Sequence, residues 1–158
     1  MPRPLKLRCI EHIPRTGYFW PDNSLKEDLE SVCLSLEEVE SLRLKDLEGL
    51  EQEASAQRMR ISRPTFHRIL EMAHKKVADA LVNGKAIQIE GGNFGLPQSR
   101  FICNEDGHEW NVPFDILANG DPISCPNCSG VNIQPEYPIP SFCHGGRGRG
   151  KCRRGRRP

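Results

Sequence analysis

Two groups of residues combine types and spacings that could do chemistry. In the first, Phe101-Ile102-Cys103 leads through Asn104-Glu105-Asp106-Gly107 to His108, and further along comes Cys125-Pro126-Asn127-Cys128. Cys-x4-His followed by Cys-x2-Cys supplies three thiolates and one imidazole, a donor set that a tetrahedral zinc ion takes. Gly107 and Gly130 permit the tight turns that aim backbone N–H groups at sulfur. Four protein ligands close the shell and leave no position for a reacting water. Zinc held by Cys103, His108, Cys125 and Cys128 is therefore expected to be structural. Cys143 or Cys152 could instead supply the donor assigned to His108. Few apolar residues lie between positions 100 and 135, so metal binding and folding of that stretch are expected to be one event.

The second group is Ser62, Arg63, Thr65, His67, Arg68 and Lys75. Arginine can donate two parallel bonds to guanine, threonine can bond a base or set its methyl against thymine, and serine suits a phosphate oxygen. To enter a major groove these residues need a helix-turn-helix: a small residue where two helices cross, an apolar lock, and a second helix with one side free. Ala56 can be the crossing residue, Met59, Ile61, Phe66 and Ile69 the lock, and Ala73, Val77 and Leu81 an extension of the buried stripe at i+4 spacing. Ser62 caps the reading helix, Pro64 sits in its first turn where a missing N–H costs nothing, and Asn83-Gly84 stops it. A short helix before it ends near Met59. An earlier one over residues 36–45 starts at the capping box Ser35-Leu36-Glu37-Glu38.

Around these helices the prolines and glycines mark the organisation. Residues 1–23 read as an extended basic arm with a short strand at Tyr18-Phe19-Trp20, and residues 24–90 as a mainly α helix-turn-helix domain closing with a weak strand over 86–90. Gly91-Gly92, Gly95 and Pro97 make 91–99 a linker. Residues 100–135 form a small zinc-ribbon-like β domain, and 136–158 a Pro-rich, then Gly/Arg-rich tail expected to be disordered. Cys33 lies among apolar residues and is expected in the core. Cys143 and Cys152 lie in a cationic stretch that favours thiol reactivity, which leaves a metal- or redox-responsive role open.

The formal net charge of +1 hides a sorting of charge along the 158 residues. Between positions 22 and 56, carboxylates such as Glu37, Glu38, Glu40, Asp46 and Glu48 face only Lys26, Arg43 and Lys45. Between 57 and 86, Arg58, Arg60, Arg63, Arg68, Lys75, Lys76 and Lys85 face only Glu71 and Asp79, and residues 145–158 carry no acid. Basic blocks of this kind are the footprint of a polyanion partner. The tail's arginines and glycines would add a sequence-blind hold on nucleic acid. Apolar residues make up 37% of the chain, with no run long enough to span a membrane and no secretory leader. A soluble, cytoplasmic protein with no membrane partner is expected. Seven cysteines are an odd number, which favours reduced thiols over a disulfide scaffold. No phosphate-cradling glycine loop, nucleophile elbow or open metal shell is present, so no enzyme is expected.

The chain resembles a family of uncharacterised prokaryotic proteins expected to bind DNA, whose helix-turn-helix is similar to region four of sigma factors. The resemblance rests on Met1-Pro2-Arg3-Pro4, on Tyr18-Phe19 before Pro21, on Leu42-Arg43-Leu44-Lys45-Asp46-Leu47-Glu48-Gly49-Leu50, on Ser62-Arg63-Pro64-Thr65-Phe66 and on Lys76-Val77-Ala78-Asp79-Ala80-Leu81. It covers about the first ninety residues and implies a sequence-specific DNA-binding protein that regulates transcription. Two positions depart from the family: serine is usual where this chain has Glu51, and glycine where it has Arg60. Glu51 is a poorer cap, and a side chain in a left-handed turn costs about 1 kcal/mol. Arg60 is a candidate for an extra phosphate contact. Double-stranded DNA is the expected partner, with a homodimer on two half-sites and RNA polymerase as further ones. The competing reading is an RNA-binding or ribosome-associated protein that uses the cysteine unit and the tail.

Overall fold

The computed structural model describes residues 6–22 and 29–137. The expectations for the start of the arm and for the tail, with Cys143 and Cys152, lie outside the described residues. The elements run β1 (Arg8–Cys9), β2 (Tyr18–Phe19), β3 (Ser31–Leu34), α1 (Leu36–Leu42), a π-helical turn (Arg43–Leu47), α2 (Gln52–Arg58), α3 (Arg63–Asn83), β4 (Ala86–Ile89), β5 (Phe94–Gly95), β6 (Gln98–Cys103), β7 (Glu109–Pro113), α4 (Phe114–Asn119) and β8 (Ile133–Pro135). No described helix is long and apolar enough to cross a membrane.

Local chemistry fixes the helix starts. The capping box closes α1 from both sides: Ser35 Oγ accepts from the Glu38 N–H, and the Glu38 carboxylate accepts from the Ser35 N–H at 2.9 Å. The same carboxylate takes both bonds from Lys76 Nζ at 2.8 Å, so the start of α1 is tied to α3. Ser62 caps α3 by accepting from the Thr65 N–H, and Gly84, at φ 65°, ends it. Between α2 and α3 the backbone turns through Arg60 at φ 54°, the left-handed position for which glycine is the easier occupant.

The helices converge on a core of Leu44, Ala56, Met59, Phe66 and Leu70, with Leu42, Leu50 and Ile61 at its rim. Ala56, Met59 and Phe66 hold their expected places, whereas Ile69 is only half-buried and Leu70, one helical turn beyond Phe66, takes its role. Leu81 corrects the expected stripe: it is 76% exposed, and Ala80 is buried instead. Each i+4 step overshoots a 3.6-residue turn by about 40°, so a stripe drawn through 73, 77 and 81 drifts off the core, and an i+3 step returns to it.

The mainly α expectation is also corrected, because the helices share their unit with a three-stranded sheet of order β2-β4-β3. β4 runs antiparallel to β2 and parallel to β3, with Ser31 opposite Ala86 and Leu34 opposite Ile89. β4 falls on the weak strand expected over 86–90, whereas β3, four residues placed before all three helices, leaves almost no local pattern to read. The stretch 91–99, expected as a linker, holds β5 and the start of β6. Gly92, at φ 111°, leaves the space that the Glu37 carboxylate fills to accept from the Asn93 N–H.

The arm lies between the two halves of the molecule. β1 pairs in parallel with β5. The Cys9 N–H reaches the Met59 carbonyl at 2.9 Å, the Ile10 N–H that of Gly95, and the Glu11 N–H the Glu40 carboxylate. Leu7 packs on a second, smaller core of Phe101, Val112 and Leu117, which belongs to the sheet of order β7-β6-β8 and to α4. Glu40, 1% exposed, takes Arg43 on both carboxylate oxygens at 2.8 and 2.9 Å. Glu11, Glu48 and Arg58 extend this pair into one network.

Candidate nucleic-acid face and metal centre

On α3 the positions 63, 67, 71 and 75 recur at i+4, each step turning about 40° further round the helix, so they follow a slow spiral that brings Lys75 close to Arg68. Arg63, His67, Arg68 and Lys75 are exposed, with Glu71 as the acid among them. Ion pairing separates these cations from the rest. Of the basic residues between 57 and 86, Arg58 pairs with Glu11 and Glu48, Arg60 with Asp115, Lys76 with Glu38, and Lys85 with Glu30 and Asp79. Arg63, Arg68 and Lys75 have no carboxylate partner among the described residues.

The remaining candidates are held more tightly. Ser62 Oγ and Thr65 Oγ1 lie 2.8 Å apart and bond each other within the cap, and Thr65 is partly buried. His67 Nδ1 lies 3.4 Å from the Gln52 amide nitrogen at the start of α2. By both helix starts is a cleft of about 610 Å³ lined by Lys45, Glu51, Gln52, Glu53, Arg63 and His67. Arg60 does not face this side. Its guanidinium sits 5.4 Å from the Phe114 ring centre and pairs with Asp115 at the start of α4, so its charge is taken up by the cysteine-bearing unit.

In that unit two turns bring ligands together. Cys103 ends β6, and the turn after it is closed by the Gly107 N–H on the Cys103 carbonyl and by the Cys103 N–H on the His108 carbonyl. The second turn is closed by the Ser129 N–H on the Cys125 carbonyl and by the Cys125 N–H on the Gly130 carbonyl. Each turn passes through a left-handed residue directly after its second ligand, Gly107 at φ 70° and Ser129 at φ 59°. The side-chain ligand atoms of Cys103, Asp106, Cys125 and Cys128 all fall within 4.8 Å of one another, a grouping that could hold a metal ion.

The expected ligand set and the grouping differ at one position, with Asp106 in the grouping where His108 was expected. The His108 ring lies against Trp110, 6.0 Å between ring centres and 17° from parallel. What His108 gives the centre is its backbone, whose N–H donates to Asp106 Oδ1 at 2.9 Å. Asp106 is the fourth member of the grouping. A signal for it was present in the sequence: Cys103-x2-Asp106-Gly107 repeats the layout of Cys125-x2-Cys128-Ser129, with a left-handed residue following each second ligand.

The electrostatics suit a cation. Bonds from the His108 N–H, the Asn127 amide and a neighbouring thiol hold the Asp106 carboxyl well below the usual carboxylate range. The Gly130 N–H favours the Cys128 thiolate. Burial and the adjoining Cys103, Cys125 and Asp106 outweigh it and push that thiol up to about 12. Such crowding of groups that ionise to anions reverses once a divalent cation sits among them.

The family described as "Protein of unknown function DUF134" matches residues 1–96, and the chain belongs to it. Its relatives extend further along the chain. A "UPF0251 protein" of Caldicellulosiruptor bescii is 44% identical over 152 residues, covering 96% of this chain and 95% of that one. Another, of Moorella thermoacetica, is 46% identical over 144 residues, 91% and 93% of the two chains. A third, of Desulforudis audaxviator, is 51% identical over 134 residues, 84% and 85%. No solved structure matches the chain.

Proposed function

We propose that this protein binds duplex DNA sequence-specifically, laying the first turns of α3 in the major groove, and so regulates transcription in the cytoplasm. α2, the turn at Arg60 and α3 serve as the helix-turn-helix. The observation that carries this reading is that Arg63, Arg68 and Lys75 are exposed on α3 with no carboxylate partner among the described residues, while the other basic residues between 57 and 86 are ion-paired. Unneutralised cations along one helix are what a phosphate-lined groove takes up. Arg63, His67 and Arg68 read bases, Ser62 and Thr65 fix the helix start near the backbone, and Lys75 meets phosphate. A zinc ion in the cysteine unit is structural. Two copies on paired half-sites would supply the length of sequence that one such helix cannot read, and RNA polymerase is a further partner of such a regulator.

Selection of bound duplexes from a random pool, followed by affinity measurement at fixed salt, tests this. Arg63→Ala is expected to weaken the selected site by about 1–3 kcal/mol and to relax its preference at one base pair. Lys75→Ala should weaken all sequences alike and lower the salt slope by about one. Selection yielding no preferred duplex, or tighter binding to structured RNA that ignores Arg63, would replace this reading with the RNA-binding one.

A further inference from the structure

We propose that Asp106, and not His108, completes the metal shell, so that the centre is a Cys3Asp site for one zinc ion with ligands Cys103, Asp106, Cys125 and Cys128. This rests on the zinc reading of the cysteine unit and names the ligand that the sequence left open between a histidine and the distant cysteines.

The distances carry the assignment. Around a tetrahedral zinc with bonds of about 2.3 Å to sulfur and about 2.0 Å to oxygen, two sulfurs stand roughly 3.75 Å apart, and a sulfur and an oxygen roughly 3.5 Å. Cys103 Sγ and Cys128 Sγ are 3.6 Å apart, and Cys125 Sγ lies 3.5 Å from Asp106 Oδ2. Two of the six edges of the tetrahedron thus already have the length that the ion requires. The supporting bonds are those of a ligand shell. Asn127 Nδ2 and the His108 N–H hold the two oxygens of Asp106, each at 2.9 Å, which orients the carboxylate, and the Gly130 N–H points at Cys128 Sγ at 3.4 Å. The imidazole of His108 has its own occupation on Trp110. With three thiolates and a carboxylate the loaded shell carries two surplus negative charges. Glu105, 3.8 Å from Cys128 Sγ, adds a third. A site of that charge repels phosphate and accompanies the DNA-reading face without sharing its ligand.

Full-length protein, stripped of metal and titrated with zinc or with cobalt(II) as a spectroscopic stand-in, tests the ligand set. The intact chain and His108→Ala are expected to take up one zinc with affinities within about twofold of each other. Asp106→Ala should weaken zinc by more than the roughly tenfold to hundredfold that supporting residues cost. Asp106→Cys should restore binding and intensify the sulfur-to-cobalt absorption, which shows that a lost site in Asp106→Ala is not a lost fold. Loss of metal in His108→Ala with retention in Asp106→Ala would overturn the assignment in favour of the imidazole. Retention in both variants would place the fourth donor elsewhere, with the zinc reading intact. A folded intact chain that binds no zinc would overturn both.

Discussion

The helical unit and the cysteine unit solve the problem of a small core in opposite ways. Around Phe66, five buried residues from the π-helical turn, α2, the following loop and α3 close on one another, and three more pack against them. The β6–β7 unit has a smaller apolar cluster, Phe101, Val112 and Leu117 with partly buried neighbours such as Trp110 and Ile133, and beside it a close grouping of thiols and a carboxylate that repel one another once ionised. One unit is held by removing apolar surface from water; the other, if the grouping takes a cation, would be held largely by a charge brought in from outside. On that reading the half that would touch DNA owes little to metal.

The largest test of this contrast is metal removal. Binding to zinc-finger-like sites contributes about 10–16 kcal/mol in apparent terms, more than a core of three residues can replace. A chelator should abolish amide-exchange protection across β6, β7 and β8 and leave α3 protected. Uniform loss, or no loss anywhere, would dissolve the distinction between the units. Next, Phe66→Ala should cost about 3–5 kcal/mol, read as a lower denaturant midpoint for the helical unit. Zinc should not rescue it, and rescue by zinc would mean that the two units share one source of stability. The smallest effect concerns the network that joins arm and helices. Bonding to Arg58, followed by its charge and that of Arg43, holds the Glu11 carboxyl below its ordinary value of 4.5. A carboxyl lowered on folding contributes stability that is complete above that value and is lost as pH falls through the folded one. Glu11→Gln should flatten the acid limb of the stability profile below about pH 5 by a modest amount, since the pair is partly solvated. An unchanged limb would remove Glu11 from the joint.

Much of the helical half was legible because its signals are local. Ser35 with Glu38, Ser62 with Pro64 and Gly84 each act within one turn, and the structure has them at the boundaries of α1 and α3. The strands at 18–19 and 86–89 were legible in part, but the sheet they join was not, because Ser31–Leu34 and Ala86–Ile89 are separated by three helices and nothing in either tetrapeptide names its partner. The cysteine grouping lies between these extremes. Spacing brings out Cys103, Cys125 and Cys128, whereas Asp106, which the fold places with them, reads as an ordinary turn residue unless the shared layout of the two loops is noticed. Arg60 failed for another reason: sequence gives its charge but not that Asp115 and Phe114 lie 55 and 54 residues on yet next to it.

The pairing of Arg8 and Cys9 with Phe94 and Gly95 sets a schedule for synthesis. A ribosome adding about 5–20 residues per second leaves those first amides without their strand for roughly 4 to 17 seconds. Ile10, fully buried in the finished protein, is open to water and to other nascent chains for that whole interval. The β1 segment is made long before the strand that secures it, so crowded or slowed translation should harm it there before it harms any helix.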